Sequence, residues 1–261
     1  VSAPLLLELP WSGRGLGGFT STRQGGLSSA PFDSLNLGLN TLDSPARVLE
    51  NRRAAMERAA LDARRVVHLQ QVHGSGLVEA SAEDAGRGAQ SWDQALPACD
   101  AVFTRVRGLP LAVGHADCLA VALGDPQAGL VGLAHAGWRG ALAGLPKALA
   151  LRLLAEGASP RGLQAVLSPC LGPASLELGE QEHQRFTQAF ARHSDFCTAL
   201  SKGHFYLDLW TCVRQQLLEA GLEAQRIQGQ ELDTALHPEL FFSHRRDQGH
   251  TGRMLTVVVL N

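Results

Sequence analysis

Residues 114–140, GHADCLAVALGDPQAGLVGLAHAGWRG, constrain this chain more than any other stretch. Two apolar runs, Leu119 to Leu123 and Leu130 to Ala134, are split by Gly124-Asp125-Pro126. Short Val/Leu/Ala runs punctuated by Gly and Pro predict two buried strands that reverse on each other. Cys118 stands at the approach to the first strand and His135 at the end of the second. A reversing connection brings those ends together, so a thiol and an imidazole face each other beside a glycine-bounded turn.

The flanking sequence reads as a mixed α/β pattern. Leu16 to Gly26 holds a short strand bounded by glycines, and Ala30 to Asp33 a turn. In Ser34-Leu35-Asn36-Leu37-Gly38, the polar Asn36 sits between two leucines and either caps a turn or aims at a ligand. Ser44-Pro45 opens a helix to about Ala60. Arg65 to Gln71 reads as a strand in which His68 packs. His73 lies past its end, before Gly74, where the backbone can turn and leave the side chain free. Ser81 to Ala98 reads as a loop and Asp100 to Thr104 as a strand. Helical spacing at Leu142, Leu145, Leu149 and Leu153 runs on to Glu156, with Pro146 set to kink or divide the helix. Leu163 to Leu167 reads as a strand and Ser168 to Pro173 as a loop. Leu176 to Ala191 and Leu207 to Ala220 read as amphipathic helices, the second stopped by Gly221. Leu240 to Arg246 and Arg253 to Leu260 read as closing strands. Without repeats or a dividing linker, the expectation is one α/β domain over residues 1–261.

Hydrophobic content of 45% with 18% charged residues is that of a globular protein, and a net charge of −2 gives no reason to expect nucleic acid or an anionic membrane as partner. No apolar run approaches the roughly 18 residues of a membrane span. Val1 to Leu7 is too short, and lacks the basic residues, for a signal peptide. Cys99, Cys118, Cys170, Cys197 and Cys212 are odd in number and contain no C-x-x-C pair. That argues for free thiols, a reducing compartment and a cytoplasmic address.

Cys118, His135 and His73 are sufficient to bind zinc and leave a fourth position for water or substrate. Zinc lowers the pKa of a bound water to about 7. Asp117 and Arg139 could orient that water or hold an anion, although in an unbroken strand Asp117 faces away from Cys118. A cysteine nucleophile activated by histidine needs the same residues and no metal. A copper oxidase is a third reading, which the absence of any His-x-His pair among ten histidines disfavours. A zinc-stabilised binding module with His115 as fourth ligand is the non-enzymatic one. The residues by themselves leave these readings open.

Gln71-Val72-His73-Gly74, Ala116-Asp117-Cys118-Leu119 and His135-Ala136-Gly137-Trp138-Arg139-Gly140 resemble the three signatures of the YfiH-like family. Thr22-Arg23-Gln24-Gly25-Gly26, Ser34 to Gly38, Phe241 to Arg246 and Thr251-Gly252-Arg253 extend the resemblance over nearly the whole chain. Family members have been called laccase-domain proteins or polyphenol oxidases, and later purine nucleoside phosphorylases. The resemblance implies a single α/β/β/α sandwich with mixed sheets, similar to the cytotoxic necrotizing factor catalytic domain. It implies zinc on His73, Cys118 and His135, with copper as the alternative metal. It implies phosphorolysis of adenosine, inosine, guanosine and methylthioadenosine, with adenosine deamination by metal-activated water beside it. Cys118, His135 and Asp117 then form the catalytic group, and Asn36, Gln71, Arg139 and Arg245 face substrate. Arg23, Arg246 and Arg253 are further candidates for phosphate. The expected partners are these small molecules, with the chain a monomer or weak dimer. Two positions depart from the family pattern: Ala174-Ser175 replaces a cysteine pair, and Asp233-Thr234 replaces cysteine-threonine.

Overall fold

The computed structural model describes residues 5–261; the first part of the Val1 to Leu7 reading lies outside the described residues. The first half of the chain contains β1 (Leu6–Glu8), β2 (Leu16–Ser21), α1 (Pro45–Arg58), β3 (Val67–His68), β4 (Leu77–Glu79), β5 (Ala101–Thr104), β6 (Leu111–His115), β7 (Leu119–Asp125) and β8 (Leu130–Ala136). There follow α2 (Trp138–Leu142), α3 (Leu145–Ala155), β9 (Gln164–Leu167), β10 (Glu177–Leu178), α4 (Glu180–Ala189), β11 (Cys197–Ala199), β12 (Phe205–Leu207), α5 (Leu209–Glu219), β13 (Ile227–Gly229) and β14 (Met254–Leu260).

Two mixed sheets lie face to face. One has the order β1-β2-β14-β6-β3 and the other β13-β9-β7-β8-β5-β4. The pairs β3–β6, β4–β5 and β9–β13 are parallel, whereas β7–β8 and β2–β14 are antiparallel. Val67, Leu111, Val113 and Val258 of the first sheet pack against Ala120, Ala122, Val131 and Leu133 of the second. Outside the first sheet, α1 buries Ala55 and Met56 on Phe19, Ala112 and Val257. Outside the second, α3 and α5 bury Leu145, Leu149, Val213 and Leu217 on Leu119, Val121 and Ala134. The layers are therefore helix, sheet, sheet, helix.

Being covered on both sides explains why β7 and β8 are buried at every residue and read as continuous apolar runs rather than alternating ones. Their register pairs Leu119 with Ala136 and Ala120 with His135. A one-residue slip would turn the whole strand over, so packing of this hairpin fixes where Cys118 and His135 stand. The helical run after Gly140 is divided: α2 ends near Ala143, Gly144 takes φ +71°, and Pro146 enters the first turn of α3.

Three expectations need correction. Leu240 to Arg246 is not a strand; Phe241 and Phe242 are both buried, and Asp247 N–H closes a turn on Ser243 O. Adjacent phenylalanines, which no alternating strand could bury on one face, stand between that turn and a preceding one closed by Phe241 N–H on His237 O. The helix expected from Leu176 begins at Glu180, because Leu178 pairs with Phe205 in a small sheet and Gly179 supplies the break. The strand expected over Arg65 to Gln71 is reduced to β3, with Leu69 continuing as an isolated bridge to Leu96.

Candidate metal centre

Cys118 immediately precedes β7, and His135 is the penultimate residue of β8. His73 reaches them from a turn after β3, with φ +58°. The two imidazoles meet edge to face, 4.9 Å between ring centroids. The donor atoms of His73, Cys118 and His135 all lie within 4.8 Å of one another, the only group of three or more His, Cys, Asp or Glu donors so arranged among the described residues.

Asp100 organises two of the three. Its carboxylate accepts the backbone N–H groups of Val72 (3.1 Å), His73 (3.0 Å) and Gly74 (2.8 Å), which holds the strained turn carrying His73. It also meets His135 Nδ1 at 2.9 Å, and the Asp100 carbonyl accepts His135 N–H at 2.7 Å. His135 Nε2 is thereby left for the centre. Asp100 is fully buried, and these hydrogen bonds outweigh burial to keep its carboxyl below the usual range. Sequence reading saw Asp100 only as the start of a strand. The available signal was a carboxylate set directly before the buried run Ala101 to Thr104.

The electrostatics of the trio suit a thiolate. Burial opposes ionisation of Cys118, but the charge and hydrogen bond of His135, aided by His73, bring the thiol down to about 6. Burial likewise opposes the His135 cation, and the Cys118 thiolate and Asp100 reverse this, raising it to about 9. Gly137 leaves the space open: a Cβ there would lie 2.7 Å from Cys118 Sγ and 3.8 Å from His73 Cδ2. One soft sulfur, two imidazoles, a carboxylate behind one imidazole and a glycine beside the sulfur fit a zinc ion with an open position.

The chain matches the model of the family described as multi-copper polyphenol oxidoreductase laccase over residues 18–261. It belongs to that family. It is 37% identical over 240 residues to purine nucleoside phosphorylase YlmD of Geobacillus stearothermophilus, covering 91% of this chain and 88% of that one. It is 34% identical over 248 residues to purine nucleoside phosphorylase YfiH of Escherichia coli, covering 95% of each. The crystal structure of YlmD from Geobacillus stearothermophilus superposes with a TM-score of 0.91 at 34% identity, covering 97% of this chain and 98% of that one. The YfiH resemblance drawn from the three signatures is thus borne out, as is an α/β fold with mixed sheets.

In this laccase-family chain the trio opens into a cavity of about 420 Å³. Arg52, Arg139, Arg245 and Arg253 line it, against a single carboxylate, Asp117. The extended backbone is interrupted at Asp117 (φ +93°), so strand alternation does not apply there. Its carboxylate accepts Thr234 Oγ1–H at 2.7 Å and Arg245 N–H at 2.6 Å. Asp117 thus braces the turn that carries Arg245. Gln71 spends its amide on both backbone groups of Gly114, extending the β3–β6 pairing by side chain. Arg139 is exposed, its guanidinium 4.2 Å over the Trp138 ring. Arg245 donates from the cavity wall to Glu177 O.

Asn36 is corrected as a substrate contact. It is fully buried, absent from the cavity wall, and committed to Thr41, Asp43, Gly38 and Arg253. His115 stays outside the trio, its Nε2 on Thr256 Oγ1 at 2.9 Å, so it does not close the site as a fourth ligand. All five cysteines are free thiols. Among the described residues no helix is long and apolar enough to cross a membrane.

Proposed function

We propose that the chain is a zinc-dependent purine nucleoside phosphorylase. It takes adenosine, inosine, guanosine or methylthioadenosine with phosphate and releases the free base and the pentose 1-phosphate, with adenosine deamination as a companion activity. The observation that carries this reading is the His73–Cys118–His135 trio at the wall of an arginine-lined cavity. A volume of about 420 Å³ lies within the usual range for small-molecule sites, and four guanidinium groups suit an anionic co-substrate. The names of the relatives point the same way.

Zinc bound to the trio would supply Lewis-acid polarisation. The remaining work falls to the chain. Asp100 holds His135 and the His73 turn in one arrangement, so the donors need no reorganisation. Leu171, Leu176, Leu209 and Trp138 provide an apolar wall for a purine. The arginines offset charge on phosphate as one of its oxygens bonds to the ribose carbon and the base departs with the glycosidic electron pair. Asp117 keeps the Arg245 turn in place.

A copper-dependent phenol oxidase is the older reading of the family, and the single donor trio among the described residues favours a mononuclear centre instead. A metal-free cysteine hydrolase would use the same Cys118–His135 contact. The chain is taken to act in the cytoplasm as a monomer or weak dimer, without nucleic-acid or membrane partners.

The test is metal analysis of purified protein together with chromatography of adenosine incubated with and without phosphate. About one zinc per chain and phosphate-dependent adenine, both lost in Cys118→Ala, support the proposal. Inosine without phosphate would leave only the deaminase. Intact nucleosides with copper-dependent oxygen uptake on a phenol would overturn it, and so would hydrolysis that survives metal removal.

A further inference from the structure

Two motifs outside the metal centre, Ser34 to Gly38 and Thr251 to Arg253, meet at the cavity and hold two arginines in its wall. Asn36 Oδ1 accepts Arg253 N–H at 2.9 Å and Gly38 N–H at 3.1 Å, while Leu37 N–H donates to Arg253 O at 3.0 Å. A Cβ on Gly38 would lie 2.7 Å from Arg253 Cγ, so the glycine makes room for the arginine stem. Arg253 Nη1 donates to Thr251 O (3.0 Å) and Gly252 O (2.9 Å). Arg52 Nε donates to Leu37 O, and its Nη1 to Gly88 O and Ala89 O.

Carbonyls orient these guanidinium groups without neutralising them. Among the described residues neither arginine has a carboxylate oxygen within 4.0 Å, and Arg253 Nε and Nη2 have no protein acceptor. That unspent edge carries two parallel N–H groups, the geometry that binds two oxygens of a tetrahedral anion. Asp117, the one carboxylate in the wall, is spent on Thr234 and Arg245. Burial opposes the Arg253 charge, while Cys118 and Asp117 favour it through their charge without hydrogen-bonding the guanidinium.

We propose that the Nε–Nη2 edge of Arg253, whose backbone Asn36 fixes and whose Nη1 is held by Thr251 O and Gly252 O, is an oxyanion subsite whose occupant is inorganic phosphate. This rests on the phosphorolytic reading for the identity of its ligand, and on the unspent Nε–Nη2 edge in the cavity wall for its place. Asn36 thereby acts as a positioning residue.

The test titrates inorganic phosphate into zinc-loaded wild type, Arg253→Gln and Arg253→Lys by calorimetry, with phosphate-free melting curves as the fold control. Phosphate affinity should fall about 10- to 100-fold in Arg253→Gln, the worth of hydrogen bonds to a charged group. Arg253→Lys, which keeps a charge but not the fork, should also lose affinity while melting like wild type. In turnover the KM for phosphate should rise in both variants with the nucleoside KM unchanged. Equal phosphate affinity in wild type and both variants, or none in wild type, overturns the subsite. If phosphate binding depends on Arg253 while wild type leaves nucleosides intact, the subsite stands and the phosphorylase reading falls. Phosphate-dependent nucleoside cleavage with an unchanged phosphate KM in both variants overturns the subsite and leaves the phosphorylase reading standing.

Discussion

Asp100 and His135 are joined twice, carbonyl to backbone N–H at 2.7 Å and carboxylate to Nδ1 at 2.9 Å. The link ties the first residue before β5 to the end of β8 and sets which imidazole nitrogen faces Cys118. Since the same carboxylate takes three N–H groups from the His73 turn, one side chain orients two donors on separate segments.

Asp100→Asn should therefore weaken metal binding and cost fold stability together. The amide keeps one acceptor oxygen, so its NH2 faces either the Val72 and Gly74 N–H groups or the His73 N–H and His135 Nδ1, and the charge that stabilises the His135 arrangement is lost. Loss of such a carboxylate behind a ligating histidine costs about 10- to 100-fold in affinity. Competition with a zinc chelator would measure it. Wild-type affinity in Asp100→Asn would show that the carboxylate charge contributes nothing to the centre.

Metal-stripped protein should present one reactive cysteine at neutral pH. Cys118 is brought down to about 6, so its thiolate persists above that pH and is lost below it. Burial pushes Cys99 up to about 11 and Cys197 and Cys212 to about 12, and raises Cys170 as well. Alkylation at pH 7 followed by peptide mass spectrometry should find the label on Cys118, with a rate that falls off as pH drops through about 6. Added zinc should protect. Labelling spread over several cysteines, or a midpoint near the ordinary thiol value, would contradict the ion pair.

The legible part of this chain is the part whose signals are local. The strands on either side of the turn at residues 126–129 declare themselves by apolar runs, and with them the approach of Cys118 to His135. Pro146 marks the division between α2 and α3. Asp100 could not be read in this way, because its partners stand 26 to 35 positions away and only the packed sheets bring them together. Asn36 is legible in part: it caps the turn at Gly38, one of its two readings. A buried polar residue between leucines signals a satisfied amide but does not say by whom, and here the partners include Arg253, 217 positions later. The Phe241-Phe242 pair looks like strand sequence until it meets Met254, which packs in the same cluster.

Asp117 should be a residue of stability as well as activity. Its buried carboxylate satisfies Thr234 Oγ1–H and Arg245 N–H, and Asp117→Ala leaves both without their acceptor. Stranding such donors costs about 1–3 kcal/mol. Thr234→Val, which removes one donor and keeps the carboxylate, should cost less. Urea denaturation of the two variants would show the order, and a harmless Asp117→Ala would mean the 244–249 turn is held by other contacts.

Gly137→Ala offers the sharpest separation of metal binding from folding. Gly137 is the N-cap of α2 in an extended conformation (φ −70°, ψ −177°), which alanine adopts without strain. Its missing Cβ, however, would sit 2.7 Å from Cys118 Sγ. Relieving that contact must move the sulfur or the entry to α2, and a displaced sulfur leaves its place beside the two imidazoles. The variant should fold with native circular dichroism, lose bound metal to a weak chelator, and lose the proposed phosphorolysis with it. A Gly137→Ala protein that retains wild-type zinc would show that the sulfur can shift without leaving the metal, and that the glycine serves only the entry to α2.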